Sequence, residues 1–154
     1  MDMREIITPD SVLAKLKINS KKQLLQALSE LAATQIHRDE HEILNTLIER
    51  ERLGSTGIGH GVAIPHGKLN GLSRIMGVFI QLAKPVEFES LDHSPVDLAF
   101  MLLAPEDAGA DHLKILSRSA RFLKKETVLS SLRLSLDAQT IYNILVTIEY
   151  ENIS

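Results

Sequence analysis

Residues 75–82 (Ile-Met-Gly-Val-Phe-Ile-Gln-Leu) and 96–103 (Val-Asp-Leu-Ala-Phe-Met-Leu-Leu) are nearly unbroken apolar runs of strand length, each bounded by turn residues. A strand with one face in water alternates apolar and polar side chains, whereas one without alternation must be covered on both faces. The two runs therefore predict central strands of a sheet held between two layers. Helical periodicity supplies the layers. Ser20 and Gln23 form a capping-box pattern ahead of Leu24, Leu25, Leu28 and Leu31, which fall on one helical face. A second helix opens near Asp39, carries Ile43, Leu44, Leu47 and Ile48, and stops at Gly54. Asp111 heads a third, with Leu113, Leu116, Ala120 and Leu123 on one side. A last helix from about Asp137 groups Ile141, Ile144, Leu145 and Ile148. No linker or repeat divides the chain. The expected fold is α/β: a single domain over residues 1–154, in which a mixed β-sheet is sandwiched by helices on both faces.

Chemistry is expected in the window 54–67, Gly-Ser-Thr-Gly-Ile-Gly-His-Gly-Val-Ala-Ile-Pro-His-Gly, which holds five of the eight glycines. Such density permits positive φ and close approach of another molecule, placing the window at the edge or end of the sheet. Within it, Val62 and Ile64 alternate as in a short strand. Pro65 fixes its own φ and biases Ile64 towards extended geometry, so His66 is presented between Pro65 and Gly67. A neutral imidazole is a nucleophile near pH 7 without an activating base. Arg50 lies on the Ile43–Leu47 stripe, at the margin of the apolar face. Taken alone it reads as a snorkelling arginine in the cluster Glu49–Arg52; near His66 its guanidinium would suit an anionic group. His112, in the first turn of its helix, reads equally as a solvated residue or as a neutral hydrogen-bond donor.

The other histidines suggest less. His37 and His41 are four apart, but no carboxylate motif accompanies them and no metal site is expected. His60 shares the glycine window without an assignable role, and His93 sits in the turn Asp92-His93-Ser94-Pro95. No dinucleotide fingerprint or P-loop is formed, so no cofactor is expected. With no cysteine, thiol chemistry and disulfides are excluded. A net charge of −3 without a basic face argues against nucleic acid. No run is long enough to span a membrane, and the start lacks a signal core, which points to a cytoplasmic protein without membrane insertion.

The stretch from Arg50-Glu51-Arg52-Leu53-Gly54 through Ser-Thr-Gly-Ile-Gly to Ile64-Pro65-His66-Gly67-Lys68 resembles the enzyme IIA component of the bacterial phosphoenolpyruvate-dependent phosphotransferase system. Pro95-Val96-Asp97-Leu98 and His112-Leu113 extend the likeness over nearly the whole chain. The similarity is to the fructose/mannitol class, and within it to the nitrogen-regulatory branch. It implies a phosphotransferase acting through a phosphohistidine. His66 would accept a phosphoryl group from a phosphohistidine carrier protein, with the ε nitrogen the expected acceptor. Arg50 would neutralise the phosphoryl oxygens, and His112 would hydrogen-bond at the site. The branch further implies a regulatory phosphocarrier, whose phosphorylation state controls target proteins such as kinases or potassium transport components. The chain ends at Ser154 without a IIB-like segment, which favours this reading over a freestanding fructose- or mannitol-type IIA that hands phosphate to a IIB component. A binding module that is never phosphorylated is the remaining alternative.

Overall fold

The structure is a computed structural model that describes residues 2–147. Strand β1 (Val12–Leu16) is followed by helices α1 (Lys21–Ile36) and α2 (Glu40–Arg52). Short strands β2 (Gly57–Gly59), β3 (Val62–Ala63) and β4 (His66–Leu69) then lead into the long β5 (Met76–Val86) and β6 (Val96–Pro105). Helices α3 (Ala110–Phe122), α4 (Glu126–Leu134) and α5 (Ala138–Leu145) close the chain. The sheet runs β1-β5-β6-β3-β2, and β4 also pairs with β6. It is mixed: β5 lies antiparallel to β6, while β1, β3 and β4 pair in parallel.

The apolar runs are covered on both faces, as their lack of alternation requires. Along β6, Leu98, Phe100, Leu102 and Ala104 enter one core, and Ala99, Met101 and Leu103 enter the other. The first core is roofed by Ile115, Phe122, Leu129, Leu132, Ile141 and Leu145 of the last three helices. The second is roofed by Leu24, Leu28, Ile43 and Leu47 of α1 and α2. Each fully buried Leu or Phe contributes about 1.5–3 kcal/mol over its exposed state. A helix cap adds about 1 kcal/mol, so the two cores hold the sandwich and the caps set only where helices begin.

Helix starts fall close to expectation. Ser20 accepts from the Gln23 N–H at 3.1 Å, but Gln23 Oε1 returns to the Asn19 N–H at 2.7 Å, one residue before the cap. Asp39 accepts from the His41 N–H, and Asp137 from the Thr140 N–H. Ile141 and Leu145 are buried, while Ile148 lies outside the described residues.

Three expectations are corrected. Helix α3 starts at Ala110 with Gly109 as its cap, not at Asp111, and it buries His112, Ile115, Ser119 and Phe122. Leu113 stands 67% exposed, because the sheet-facing stripe lies one residue before the apolar pattern and two of its members are polar. Strand β5 continues past the apolar run through exposed Ala83, Lys84 and Pro85, where pairing with β1 has ended and only the irregular ladder to β6 persists. The glycine window is not a free loop: β2 and β3 form a hairpin at the sheet edge, and His66 itself begins a strand.

Candidate functional site

His66 sits where the β3–β4 stretch is broken. Val62 and Ala63 pair with Leu98 and Ala99 of β6, and the ladder resumes from His66 opposite Leu102. Between them Pro65 has no N–H to donate, and its carbonyl accepts from the Leu102 N–H at 3.0 Å. On β4, Leu69 belongs to the core under α1 and α2, and Gly67 faces the same way. A Cβ on Gly67 would lie 2.5 Å from Thr46 Cγ2, so its absence lets α2 close onto the strand. Side chains alternate along a strand, which turns His66 towards the opposite layer.

That close packing brings Arg50, two turns along from Ile43 and near the C-terminus of α2, beside the imidazole. Arg50 Nε donates to His66 Nε2 at 3.1 Å, and its Nη1 donates to the Gly54 carbonyl at 2.8 Å. The other ring nitrogen, Nδ1, lies 2.9 Å from the Ile64 carbonyl. A carbonyl only accepts, so Nδ1 carries the proton and Nε2 is left with its lone pair. His112 reaches the site from α3, its ring 5.7 Å from that of His66 at an interplanar angle of 64°. Its Nε2 is buried and has no hydrogen-bond partner among the described residues.

Both rings are held in their neutral form. Burial lowers the affinity of His66 for a proton, helped by the Arg50 charge, while the Ile64 carbonyl and Glu51 pull the other way. His112 is lowered first by burial, then by its closeness to the His66 ring, since two neighbouring imidazoles resist charging together, and by the Lys68 ammonium. His66 is thus half-buried between two layers instead of displayed on a loop, and its uncharged Nε2 is a competent nucleophile.

The three residues singled out in the sequence come together; the other histidines serve elsewhere. His37 takes the left-handed conformation that ends α1, and His41 is exposed in the first turn of α2. His60 turns the β2–β3 hairpin at φ 58°, its N–H bound to Asp92 and its carbonyl to Arg133. His93 has φ 64° and donates its N–H to the Ser90 carbonyl at 3.0 Å, closing a turn that spans residues 90–93 and not 92–95. Among the described residues no group of His, Asp and Glu is arranged to hold a metal ion. No helix there is long and apolar enough to cross a membrane. The sequence reading missed the carbonyls of Ile64 and Gly54 and the carboxylate of Glu51. A carbonyl leaves no residue-type signal, whereas Glu51 stood in plain view within the Arg50 motif.

Comparison with known proteins adds a family context. The model of the family described as phosphoenolpyruvate-dependent sugar phosphotransferase system, EIIA 2, matches residues 5–147. A nitrogen regulatory protein of Bradyrhizobium diazoefficiens is 50% identical over 145 residues, 94% of this chain and 95% of the relative. A fructose-specific EIIA component of Haloferax volcanii is 34% identical over 130 residues, covering 84% of each. The crystal structure of nitrogen regulatory protein IIA-Ntr from Neisseria meningitidis superposes with a TM-score of 0.89 at 35% identity, covering 93% of this chain and 98% of the other.

Proposed function

The chain belongs to the EIIA 2 family of the phosphoenolpyruvate-dependent sugar phosphotransferase system, whose members are phosphotransferases working through a phosphohistidine, and we propose that here the acceptor is Nε2 of His66. The observation that carries this reading is the pair of contacts on the ring: Nδ1 lies 2.9 Å from the Ile64 carbonyl and Arg50 Nε 3.1 Å from Nε2, which together assign the proton to Nδ1 and the lone pair to Nε2, beside a guanidinium.

In the proposed step the Nε2 lone pair attacks phosphorus of a phosphohistidine on a carrier protein. The N–P bond of the donor breaks, its electron pair returns to the donor imidazole, and the new N–P bond forms on His66. His66 becomes a cationic ring while it carries phosphate and Nδ1–H, and the Ile64 carbonyl stabilises that charge. The Arg50 Nε–H caps the nucleophilic lone pair in the resting state. It must release that nitrogen, and it turns to an oxygen of the incoming phosphoryl group while Nη1 stays on Gly54. Phosphoryl transfer needs alignment and compensation of spread negative charge more than bond-making help. Buried His112, with Nε2 unpaired in the resting state, supplies a second donor to those oxygens.

The phosphoryl group brings about −1.5 to −2 charge to one edge of the sheet, offset in part by the cationic ring, and the net gain of negative charge is enough to alter which partners dock there. With the nitrogen regulatory relatives matched over nearly their full length, we take the phosphorylation state as the output. It would control target proteins in nitrogen and potassium regulation, kinases or potassium transport components among them. The fructose-specific relative supports a second reading, in which phosphate passes on to a IIB component. The test is transfer of labelled phosphate from phosphoenolpyruvate through enzyme I and its carrier protein to wild type and His66→Ala. Acid-labile, base-stable label on wild type alone is expected; label on both would remove His66 from the reaction. Efficient onward transfer to a IIB acceptor would favour the second reading.

A further inference from the structure

The side chain following Arg50 turns away from His66 yet is connected to it. The Glu51 side chain is 7% exposed, and its Oε1 accepts from the Thr56 N–H at 3.0 Å and from the Thr56 hydroxyl. Its Oε2 lies 2.9 Å from Lys21 Nζ at the start of α1, and that ammonium also stands 4.6 Å above the Phe88 ring. The Thr56 carbonyl in turn accepts from the Ile64 N–H at 2.9 Å. The Ile64 carbonyl then takes the proton of His66 Nδ1. A buried carboxylate is unfavourable unless it is paired and hydrogen-bonded; here Thr56 hydrogen-bonds Oε1, while Oε2 has the Lys21 ion pair and no aligned hydrogen bond among the described residues. The chain of contacts from Lys21 through Glu51, Thr56 and Ile64 ends on the ring nitrogen whose protonation decides which nitrogen is the nucleophile.

We infer that Glu51 and Thr56 are positioning residues: they fix the 54–56 turn against Ile64, so that the Ile64 carbonyl holds His66 in its Nδ1–H tautomer. The inference rests on the phosphoacceptor reading for its importance, but the geometry it concerns exists without any donor. Arg50 and Glu51 thereby divide the work at the end of α2. Arg50 grips the turn through the Gly54 carbonyl and meets Nε2 of His66; Glu51 grips it through Thr56 and would set the ring through Ile64. A glutamine can replace the carboxylate as acceptor for Thr56, whereas an alanine cannot.

The experiment reads the tautomer directly, from the imidazole nitrogen shifts of 15N-histidine-labelled, unphosphorylated protein, alongside the rate of phosphoryl uptake from the carrier. In wild type a single Nδ1–H form is expected. Glu51→Ala should mix the tautomers and slow uptake about tenfold, by analogy with the loss of an outer hydrogen-bond partner of a metal-bound histidine. Glu51→Gln should restore most of both. Should Glu51→Ala fail to fold, Thr56→Val poses the same question, and a mixed tautomer there supports the proposal. A pure Nδ1–H ring in the folded variant with wild-type uptake overturns it. So does a Glu51→Gln variant as impaired as Glu51→Ala, which would make the charge, not the hydrogen bond, the active feature. If wild type takes no label while the tautomer still responds to Glu51→Ala, the phosphoacceptor reading falls and the positioning role stands.

Discussion

Arg50 meets His66 through Nε and not through its outer fork, which leaves Nη1 for Gly54 and Nη2 directed at neither. A guanidinium used this way is both anchor and ligand, and a lysine cannot do both. Arg50→Ala should lower phosphoryl uptake about 100- to 1000-fold, the range for removing one donor from a developing anion. Arg50→Lys should recover only part of it, in rapid-quench transfer assays. The same arginine helps to keep the ring uncharged. His66 must be neutral to attack, and its proton affinity is set below the ordinary 6.5 by burial first. Uptake should therefore stay level as pH falls through 6.5 and decline only below it. In Arg50→Ala the acid edge should move to higher pH, because a cation that disfavoured protonation has gone. Proton NMR titration of the His66 ring checks the direction; an edge unmoved or shifted to lower pH would contradict it.

Among the elements, the contact between α2 and β4 decides whether these residues meet. Gly67→Ala would set a methyl 2.5 Å from Thr46 Cγ2, so the Thr46 side chain must rotate or α2 must move outward to admit it. Overpacking of this kind costs about 1–3 kcal/mol. We expect a lowered urea midpoint and, in the folded fraction, slower uptake from a displaced Arg50; an unchanged midpoint would mean that Thr46 or the strand absorbs the methyl without moving α2. This contact marks the limit of what the sequence reveals. Central strands, both helical layers and the starts at Ser20, Asp39 and Asp137 were legible because apolar runs and side-chain caps are local signals. The register of α3 was not, since His112 and Ser119 occupy buried positions that an apolar pattern cannot mark. Helix α4 passed unnoticed: it is short, and Lys125 provides no capping side chain. Strand β4 lay hidden behind Pro65. Of the site, His66 stood out by its glycine and proline frame. For Arg50 and His112 the residues alone left a functional and a solvated reading open, and family resemblance decided between them, because their meeting depends on contacts made across the sheet.

For the whole molecule, two neutral histidines make stability depend on acid. His66 and His112 both bind a proton less readily when folded than a free histidine does. Their contribution is complete above the unfolded value of about 6.5 and is lost as pH drops below it, since the unfolded chain gains protons that the folded one resists. Urea midpoints should fall between about pH 7.5 and 5.5, and His112→Gln should fall less steeply. An equal slope would show that His112 titrates alike in both states. The site also belongs to no single layer: Arg50 arrives with α2, His112 with α3, and His66 stands on the strand between. The imidazole is in effect a gauge of whether both halves of the sandwich are seated. Loosening either layer would silence the reaction while most of the helix remains, so on gentle heating the ability to take up phosphate should vanish before the circular dichroism does.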